Sequence, residues 1–251
     1  MIDEKSRTRF EEHIYNYLSP KHLQDKWSRH FRFYDFFMTL DPRYLATLTD
    51  HISELEGFNE VIDTGSGSGN LTLELLKAGH NVTAVDLNEH GLKLLKQKCT
   101  NYSGQLEVIQ QDLNNLKINW LFDAASSIFV VPFVNDNLNY FTRVYNLLKP
   151  GGKLIVTAWA PAEDTWKGVI EHLEFYLESQ GVFEEKVYRD YWMEFKKTCS
   201  VLSKIVLAGP EIKKLEKLLE DIGFKNIIIL PSHYDIYAYS LIARKPIPTN
   251  Q

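Results

Sequence analysis

The chain has 251 residues, and its 44% hydrophobic and 24% charged content is typical of one globular domain with or without a small cap. Its formal net charge of -5 disfavours nucleic acid as a partner, because the protein as a whole repels phosphate. The sequence has a charged start and only two cysteines, Cys99 and Cys199, which favour a cytoplasmic protein without a disulfide framework. It has no apolar run near the ~20 residues of a membrane span, so we expect no membrane partner.

Residues 1–57 are predicted to form an N-terminal helical cap segment. Asp41-Pro42 is typical of a helix start, and Gly57 of a helix end. The apolar residues between them that we expect on one face are Leu45, Leu48, Ile52 and Leu55. An aromatic set with the same spacing precedes them: Trp27, Phe31, Tyr34 and Phe37.

From residue 58 onward, short apolar runs alternate with amphipathic stretches. The predicted strands are Val61–Thr64, Val82–Leu87, Leu106–Ile109, Phe122–Phe129 and Lys153–Trp159. The predicted helices between them are Leu71–Ala78, His90–Thr100 and Leu138–Leu148. Strands that alternate with helices predict right-handed crossovers and a parallel, doubly wound sheet.

The C-terminal third divides into two parts. Residues 161–208 carry a helical pattern (Trp166, Ile170, Leu173 and Leu177) and the aromatic run YRDYWMEF, and we expect them to form a helical lid insertion. In residues 209–251, Gly209-Pro210 is predicted to open a helix that Gly223 closes. The predicted strands Asn226–Leu230 and Tyr234–Ala243 are too close for a parallel crossover and must be antiparallel. The fold class is therefore α/β, with a seven-stranded, mostly parallel sheet and an antiparallel C-terminal hairpin.

The segment DTGSGSGN joins the first predicted strand to a helix. Its glycines permit a tight turn and close approach of a ligand to bare backbone. A dinucleotide site needs a third glycine where this chain has Asn70. The carboxylate of Asp63 disfavours a pyrophosphate and favours a ligand that carries an ammonium group.

Two further acids end the next predicted strands. Asp86 lies about 20 residues beyond the glycines, where an acid binds a ribose diol. Asp112 ends the third strand, and with Leu113 it suits the amino group and apolar face of an adenine. Either acid alone is equally well explained as a helix cap or a surface residue. Three acids at consecutive strand ends favour a nucleoside-containing ligand.

These motifs resemble those of the class I S-adenosylmethionine-dependent methyltransferases. The resemblance covers DTGSGSGN, AVDLNE, QQDL, FDAASSIF and LLKPGGKLIV, roughly residues 58–160 and 209–245. It implies a Rossmann-like domain (58–160 and 209–251) that binds S-adenosylmethionine. It implies cofactor contacts by Asp63, Gly65, Gly67, Asp86, Leu87, Asp112, Leu113 and Ser127, and it suggests Arg32 or Tyr34 for the cofactor carboxylate.

The methyl acceptor is expected at the carboxyl ends of the strands, where Phe129 and Trp159 emerge. Tyr188 and Trp192 of the lid are further candidates for an aromatic pocket, which suits a small apolar or aromatic acceptor, or an amine. His233 in the hairpin turn is the candidate general base, although a solvated turn histidine is the simpler interpretation. Nothing in the sequence predicts a metal site.

Two other functions remain open at the level of sequence. An NAD-dependent oxidoreductase would use the same type of sheet, but Asn70 and the C-terminal hairpin argue against it. A non-catalytic cofactor-binding or interaction protein would have the same motifs, because class I methyltransferases lack diagnostic catalytic residues.

Overall fold

The computed structural model describes residues 26–161, 165–203 and 209–248. Its helices and strands in chain order are α1 (Lys26–Met38), α2 (Pro42–Glu54), β1 (Glu60–Thr64), α3 (Asn70–Lys77), β2 (Asn81–Asp86), α4 (Glu89–Lys98), β3 (Leu106–Gln110), β4 (Phe122–Ile128), α5 (Asn137–Leu147), β5 (Leu148–Trp159), α6 (Thr165–Ser179), α7 (Lys186–Ser203), α8 (Ile212–Ile222), β6 (Lys225–Leu230) and β7 (Ala238–Arg244). In the part of the chain that the structure describes, no helix is both long and apolar enough to cross a membrane.

Seven strands form one sheet in the order β3-β2-β1-β4-β5-β7-β6. The first five strands are parallel, whereas β7 runs antiparallel to both β5 and β6. The predicted fold class, including the antiparallel C-terminal hairpin, is therefore confirmed. The strand order reverses between β1 and β4, and ligands of doubly wound sheets bind at the carboxyl ends of strands at such a point.

Several element ends differ from the predictions. Leu87 and Phe129 lie just beyond β2 and β4, and Pro210 precedes α8 rather than occupying its first turn, because Glu211 is the N-cap. Strand β5 already begins at Leu148, since residues 149–152 form an irregularity opposite the start of β4. Tyr234 was expected in the last strand, but β7 begins only at Ala238.

The sheet unit comprises residues 46–162 and 207–251. Its main core lies where α5 and α8 cover the sheet. Fully buried members of this core include Tyr140, Phe141, Val144, Leu215, Leu219 and Phe224, packed with Leu154, Val156 and Leu241 of the strands. Leu215 and Leu219 are the buried residues of α8. Packing of this kind holds the strand ends at fixed positions.

Of the described residues, 26–45 and 165–203 form a separate helical unit. Within it, α1 packs on α7: Phe36 stacks on Tyr188 with ring centroids 5.4 Å apart, and Phe37 meets Trp192 at 5.0 Å. The buried side of α6 is formed by Thr165, Val169, Leu173 and Leu177, whereas Trp166 and Ile170 are half-buried. The boundary between the two units falls at residue 45, inside α2.

The buried side of α2 also differs from the prediction. Leu45 was expected to pack inward but is 44% exposed, while Leu48, His51 and Leu55 are buried. A polar histidine therefore occupies a position in the apolar stripe of this helix.

Candidate cofactor and acceptor site

The loop between β1 and α3 requires glycine. Its glycines have positive φ angles: 74° at Gly65, 52° at Gly67 and 84° at Gly69. A Cβ on Gly65 would stand 2.3 Å from Val130 Cγ2, and one on Gly69 would stand 2.5 Å from Leu95 Cγ. The amides of Gly65 and Ser66 both donate to the carbonyl of Val85, at 2.7 and 3.0 Å. The loop is therefore held close to the ends of β2 and β4, where only glycine fits at these positions.

Asp86 links the end of β2 to this loop. Its Oδ2 accepts the amide of Gly67 at 2.8 Å, and its Oδ1 accepts the amide of Asn88 at 2.8 Å. Burial raises the pKa of Asp86, while these amide donors lower it. A carboxylate has about four lone-pair sites, so two accepted bonds leave capacity for hydroxyl donors of a ligand.

Asp63 lies at the base of the same loop and is 2% exposed. Thr72, in the first turn of α3, donates its hydroxyl to Asp63 Oδ2 at 2.6 Å. Burial raises the pKa of Asp63 to about 7; the bond from Thr72 lowers this pKa, and the charge of Asp86 raises it. A nearby cation would favour the ionised carboxylate, so Asp63 suits a ligand that brings a positive charge.

Asp112 does have the capping role that the sequence left open. It is the N-cap of a short 3-10 helix, Leu113–Asn115, and accepts the amide of Asn114 at 2.9 Å. Leu113 is buried in the core, whereas Leu87 is 65% exposed. The register of β2 and β3, in which Asp86 pairs with Gln110, places all of these residues at the same edge of the sheet.

Ser127 is fully buried and belongs to a network of hydroxyl groups below the site. Tyr140 donates to Ser127 Oγ at 3.1 Å, and the hydroxyls of Tyr140 and Thr64 lie 2.7 Å apart. Burial raises the pKa of Tyr140 to about 12, so this phenol stays protonated. The sequence analysis did not identify this network; the only sequence signal is a pair of serines inside an otherwise apolar strand.

A second buried network centres on His51. Its Nδ1 lies 2.6 Å from Ser126 Oγ and its Nε2 lies 2.8 Å from Thr157 Oγ1. Burial lowers the pKa of His51 to about 3, so the ring is neutral. These contacts fix α2 on β4 and β5.

Three aromatic rings meet where β4 and β5 end. Phe129 stacks on Trp159 with centroids 3.7 Å apart and an interplanar angle of 5°. Tyr234 meets both rings edge-on, at 5.4 and 5.3 Å. We call Phe129, Trp159 and Tyr234 the aromatic trio. Phe129 has a φ of 59°, which is rare for a bulky residue and turns the chain sharply after β4. Its neighbour Val130 is the residue that lies against Gly65.

His233 is paired rather than simply solvated. Its Nε2 lies 2.7 Å from Asp50 Oδ2 of α2, with both side chains about one-third exposed (33% and 34%). No group of three or more His, Cys, Asp or Glu residues within the described ranges is placed to hold a metal ion.

The remaining candidates belong to the helical unit. Arg32 Nε and Trp192 Nε1 are buried and make no hydrogen bond. Tyr34 contacts His30 at 5.1 Å and Tyr44 at 6.1 Å between ring centroids. Tyr188 and Trp192 pack in the aromatic core of α1 and α7 described above.

The sheet order, the bare glycine loop and the acids at three consecutive strand ends define an α/β protein of the nucleoside-cofactor type. Residues 62–156 match the family model described as a methyltransferase domain. Residues 62–156 therefore form a methyltransferase domain of the class I S-adenosylmethionine-dependent type, and S-adenosylmethionine is its cofactor. The NAD-dependent alternative is thereby discarded.

Individual relatives extend this result. The chain is 33% identical over 110 residues to a protein of Geobacillus sp. (strain WCH70) named as a methyltransferase. This match covers only 40% of this chain and 42% of the Geobacillus protein. It is 22% identical over 200 residues to the ubiquinone biosynthesis O-methyltransferase of Rickettsia canadensis (strain McKiel), covering 80% of this chain and 82% of that one. The N-methyltransferase NodS from Bradyrhizobium japonicum WM9, solved with S-adenosylhomocysteine, shares the fold with a TM-score of 0.57 at 14% identity, covering 82% of this chain and 89% of that one.

Proposed function

We propose that this enzyme transfers a methyl group to an oxygen or nitrogen of a small, apolar or aromatic molecule. One observation carries the proposal: Phe129 of the aromatic trio is directly followed by Val130, which lies against the glycine loop. An acceptor that packs on these rings would therefore lie beside the cofactor. The similarity to an enzyme named for ubiquinone biosynthesis O-methylation agrees with an aromatic acceptor.

We assign the cofactor contacts to the residues at the strand ends. When bound, S-adenosylmethionine supplies an electrophilic methyl group on a sulfonium. Asp63 is assigned to the ammonium group of the cofactor, and Gly65 and Gly67 to its methionine part. Asp86 is assigned to the ribose hydroxyls, and Ser127 is assigned a position near the amino acid part. The adenine is assigned to Leu87, Asp112 and Leu113. The buried hydroxyl of Ser66, which makes no hydrogen bond, fits a polar ligand at this loop.

For the cofactor carboxylate we retain Arg32 and Tyr34. The buried Nε of Arg32 makes no hydrogen bond, and a buried guanidinium N–H without a partner is well matched to an anion. Tyr188 and Trp192 stay predictions as acceptor contacts; both are buried in the helical unit.

Alignment of the acceptor and exclusion of water do most of the work in such a displacement. The trio rings are each less than a tenth exposed, so the acceptor can reach them only if covering residues move.

His233 is the proposed base for an acceptor that arrives protonated. Because Asp50 Oδ2 accepts from Nε2, the lone pair of the neutral ring resides on Nδ1. A hydrogen-bonded carboxylate that fixes the tautomer of a histidine is the usual arrangement for a general base.

A methyl-transfer screen tests the proposal. The enzyme is incubated with methyl-labelled S-adenosylmethionine and separate panels of phenols, amines, carboxylic acids and RNA. We expect label in a phenol or an amine. Label in RNA alone would contradict the small-molecule proposal, and no label despite S-adenosylhomocysteine binding would favour a non-catalytic protein.

Matched tryptophan variants then locate the acceptor. Trp159→Ala should raise the acceptor KM about tenfold, from the loss of one well-packed aromatic contact, while cofactor affinity is kept. Trp120→Ala is the control, because Trp120 is 46% exposed and precedes β4 at the opposite edge of the sheet. Equal effects of the two substitutions would refute the assignment of the trio.

A further inference from the structure

The connection between β6 and β7, residues 231–237, carries the edge of the aromatic trio. Tyr234 is 1% exposed, although it lies in a turn. The turn has its own hydrogen bonds: the amide of Tyr234 donates to Ser232 Oγ at 3.1 Å, and the amide of Tyr237 donates to the carbonyl of Tyr234 at 2.9 Å. Asp235 between them has a positive φ of 51°. These local bonds shape the turn, and the amide of Ala160, directly after β5, donates to the carbonyl of Tyr237 at 2.8 Å and so fixes the end of the turn; the start of the turn is fixed elsewhere.

Helix α2 provides a fixed point for this turn. His51 is anchored in the sheet by Ser126 and Thr157, as described above, and Thr157 Oγ1 in turn lies 2.7 Å from Ser240 Oγ of β7. The preceding residue on the helix, Asp50, holds His233 of the connection at 2.7 Å. Adjacent residues of α2 thus bind the body of the sheet and the turn beside Tyr234.

We propose that Asp50 is a positioning residue: through its pair with His233 it fixes the connection between β6 and β7 and thereby holds Tyr234 against Phe129 and Trp159. The inference deepens the proposed function, because it names a residue that shapes the acceptor surface without touching the acceptor. Both partners are about one-third exposed, so the pair contributes little to global stability. Its effect is local order of the turn.

Local amide exchange tests the positioning directly. In the full-length protein, Asp50→Ala should accelerate exchange at the amides of Tyr234 and Tyr237 about tenfold, from the loss of one charge-assisted bond. Asp50→Asn should stay near the wild-type rate, because the side-chain amide oxygen still accepts the His233 N–H.

Glu54→Ala is the matched control for this experiment. Glu54 lies on the same helix and also forms an ion pair with the sheet, at 2.9 Å from Lys153 Nζ, but near the opposite end of the strands. Its loss should leave the exchange of Tyr234 and Tyr237 unchanged. Equal exchange at these amides in Asp50→Ala and Glu54→Ala would overturn the proposal.

A kinetic readout separates positioning from a merely structural role. With an acceptor from the methyl-transfer screen, Asp50→Ala should raise the acceptor KM several-fold and leave S-adenosylhomocysteine affinity as in the wild type. Faster exchange with an unchanged acceptor KM would also overturn the proposal. If the screen yields no acceptor, the proposed function fails, while the exchange result still decides whether Asp50 holds the turn.

Discussion

Asp86→Ala is the substitution that should most weaken cofactor binding. It removes both oxygens that accept the amides of Gly67 and Asn88, each at 2.8 Å. The loss of these two amide bonds lowers the stability of the variant with and without ligand, and the cost of burying the carboxylate, which raises its pKa, offsets part of that loss. The variant also loses the proposed contact with the ribose hydroxyls. We expect a net loss of about 1–3 kcal/mol in binding, or roughly 5- to 150-fold in Kd.

Calorimetry with S-adenosylhomocysteine measures this effect, with Asp123→Ala as the matched control. Asp123 also accepts two backbone amides, those of Asn59 at 3.1 Å and Glu60 at 2.8 Å, but at the amino end of β4. Both variants should be less stable than the wild type, and only Asp86→Ala should bind the ligand more weakly. An unchanged Kd in folded Asp86→Ala, or an equal loss in Asp123→Ala, would refute the ribose assignment.

Between about pH 4 and 7 only the folded state keeps the proton of Asp63, so this group lowers the free energy of unfolding as the pH rises through that range. Asp63→Asn should remove this decrease and make the protein more stable above pH 7, as measured by urea unfolding. His51→Leu should reduce the loss of stability between about pH 6.5 and 3, because only the unfolded chain protonates this histidine there; an unaltered pH profile would contradict this. Gly65→Ala should cost about 1–3 kcal/mol of unfolding free energy, from its positive φ and its contact with Val130, whereas Gly104→Ala, with nothing within 4 Å, should cost little.

The motifs made the parallel part of the fold predictable from the sequence. The sequence pattern that predicts each strand, the glycine loop or an acid lies within a few residues of that feature. Right-handed crossovers between successive strands then determine that the strands of the sheet are parallel. The acids also show a limit of that reasoning. Three acids at consecutive strand ends favoured a ligand-binding role over helix capping, yet Asp112 is an N-cap. Its side chain accepts the amide of Asn114, two residues further on, as N-cap aspartates commonly do. A carboxylate can cap a helix and still accept a bond from a ligand.

The contacts that the sequence analysis missed join distant parts of the chain. His51 bonds to Ser126 and Thr157, which are 75 and 106 residues away, and no local pattern marks such a partner. The same holds for the pair of Asp50 with His233, 183 residues apart.

The end of the hairpin was mispredicted for a local reason. The alternation of residues 234–243 favours a strand, but Asp235 adopts a positive φ and Tyr237 bonds back to Tyr234. These bonds turn the chain before β7 begins, and they bring Tyr234 into the aromatic trio.

A crystal structure with S-adenosylhomocysteine bound tests the central claim most directly, namely that the strand-end acids and the glycine loop hold the cofactor. We predict the ribose hydroxyls on Asp86, the methionine part along Gly65 and Gly67, and the sulfur on the side of the aromatic trio. A ligand bound elsewhere, or bound at the loop with its sulfur directed away from Phe129 and Trp159, would contradict the account.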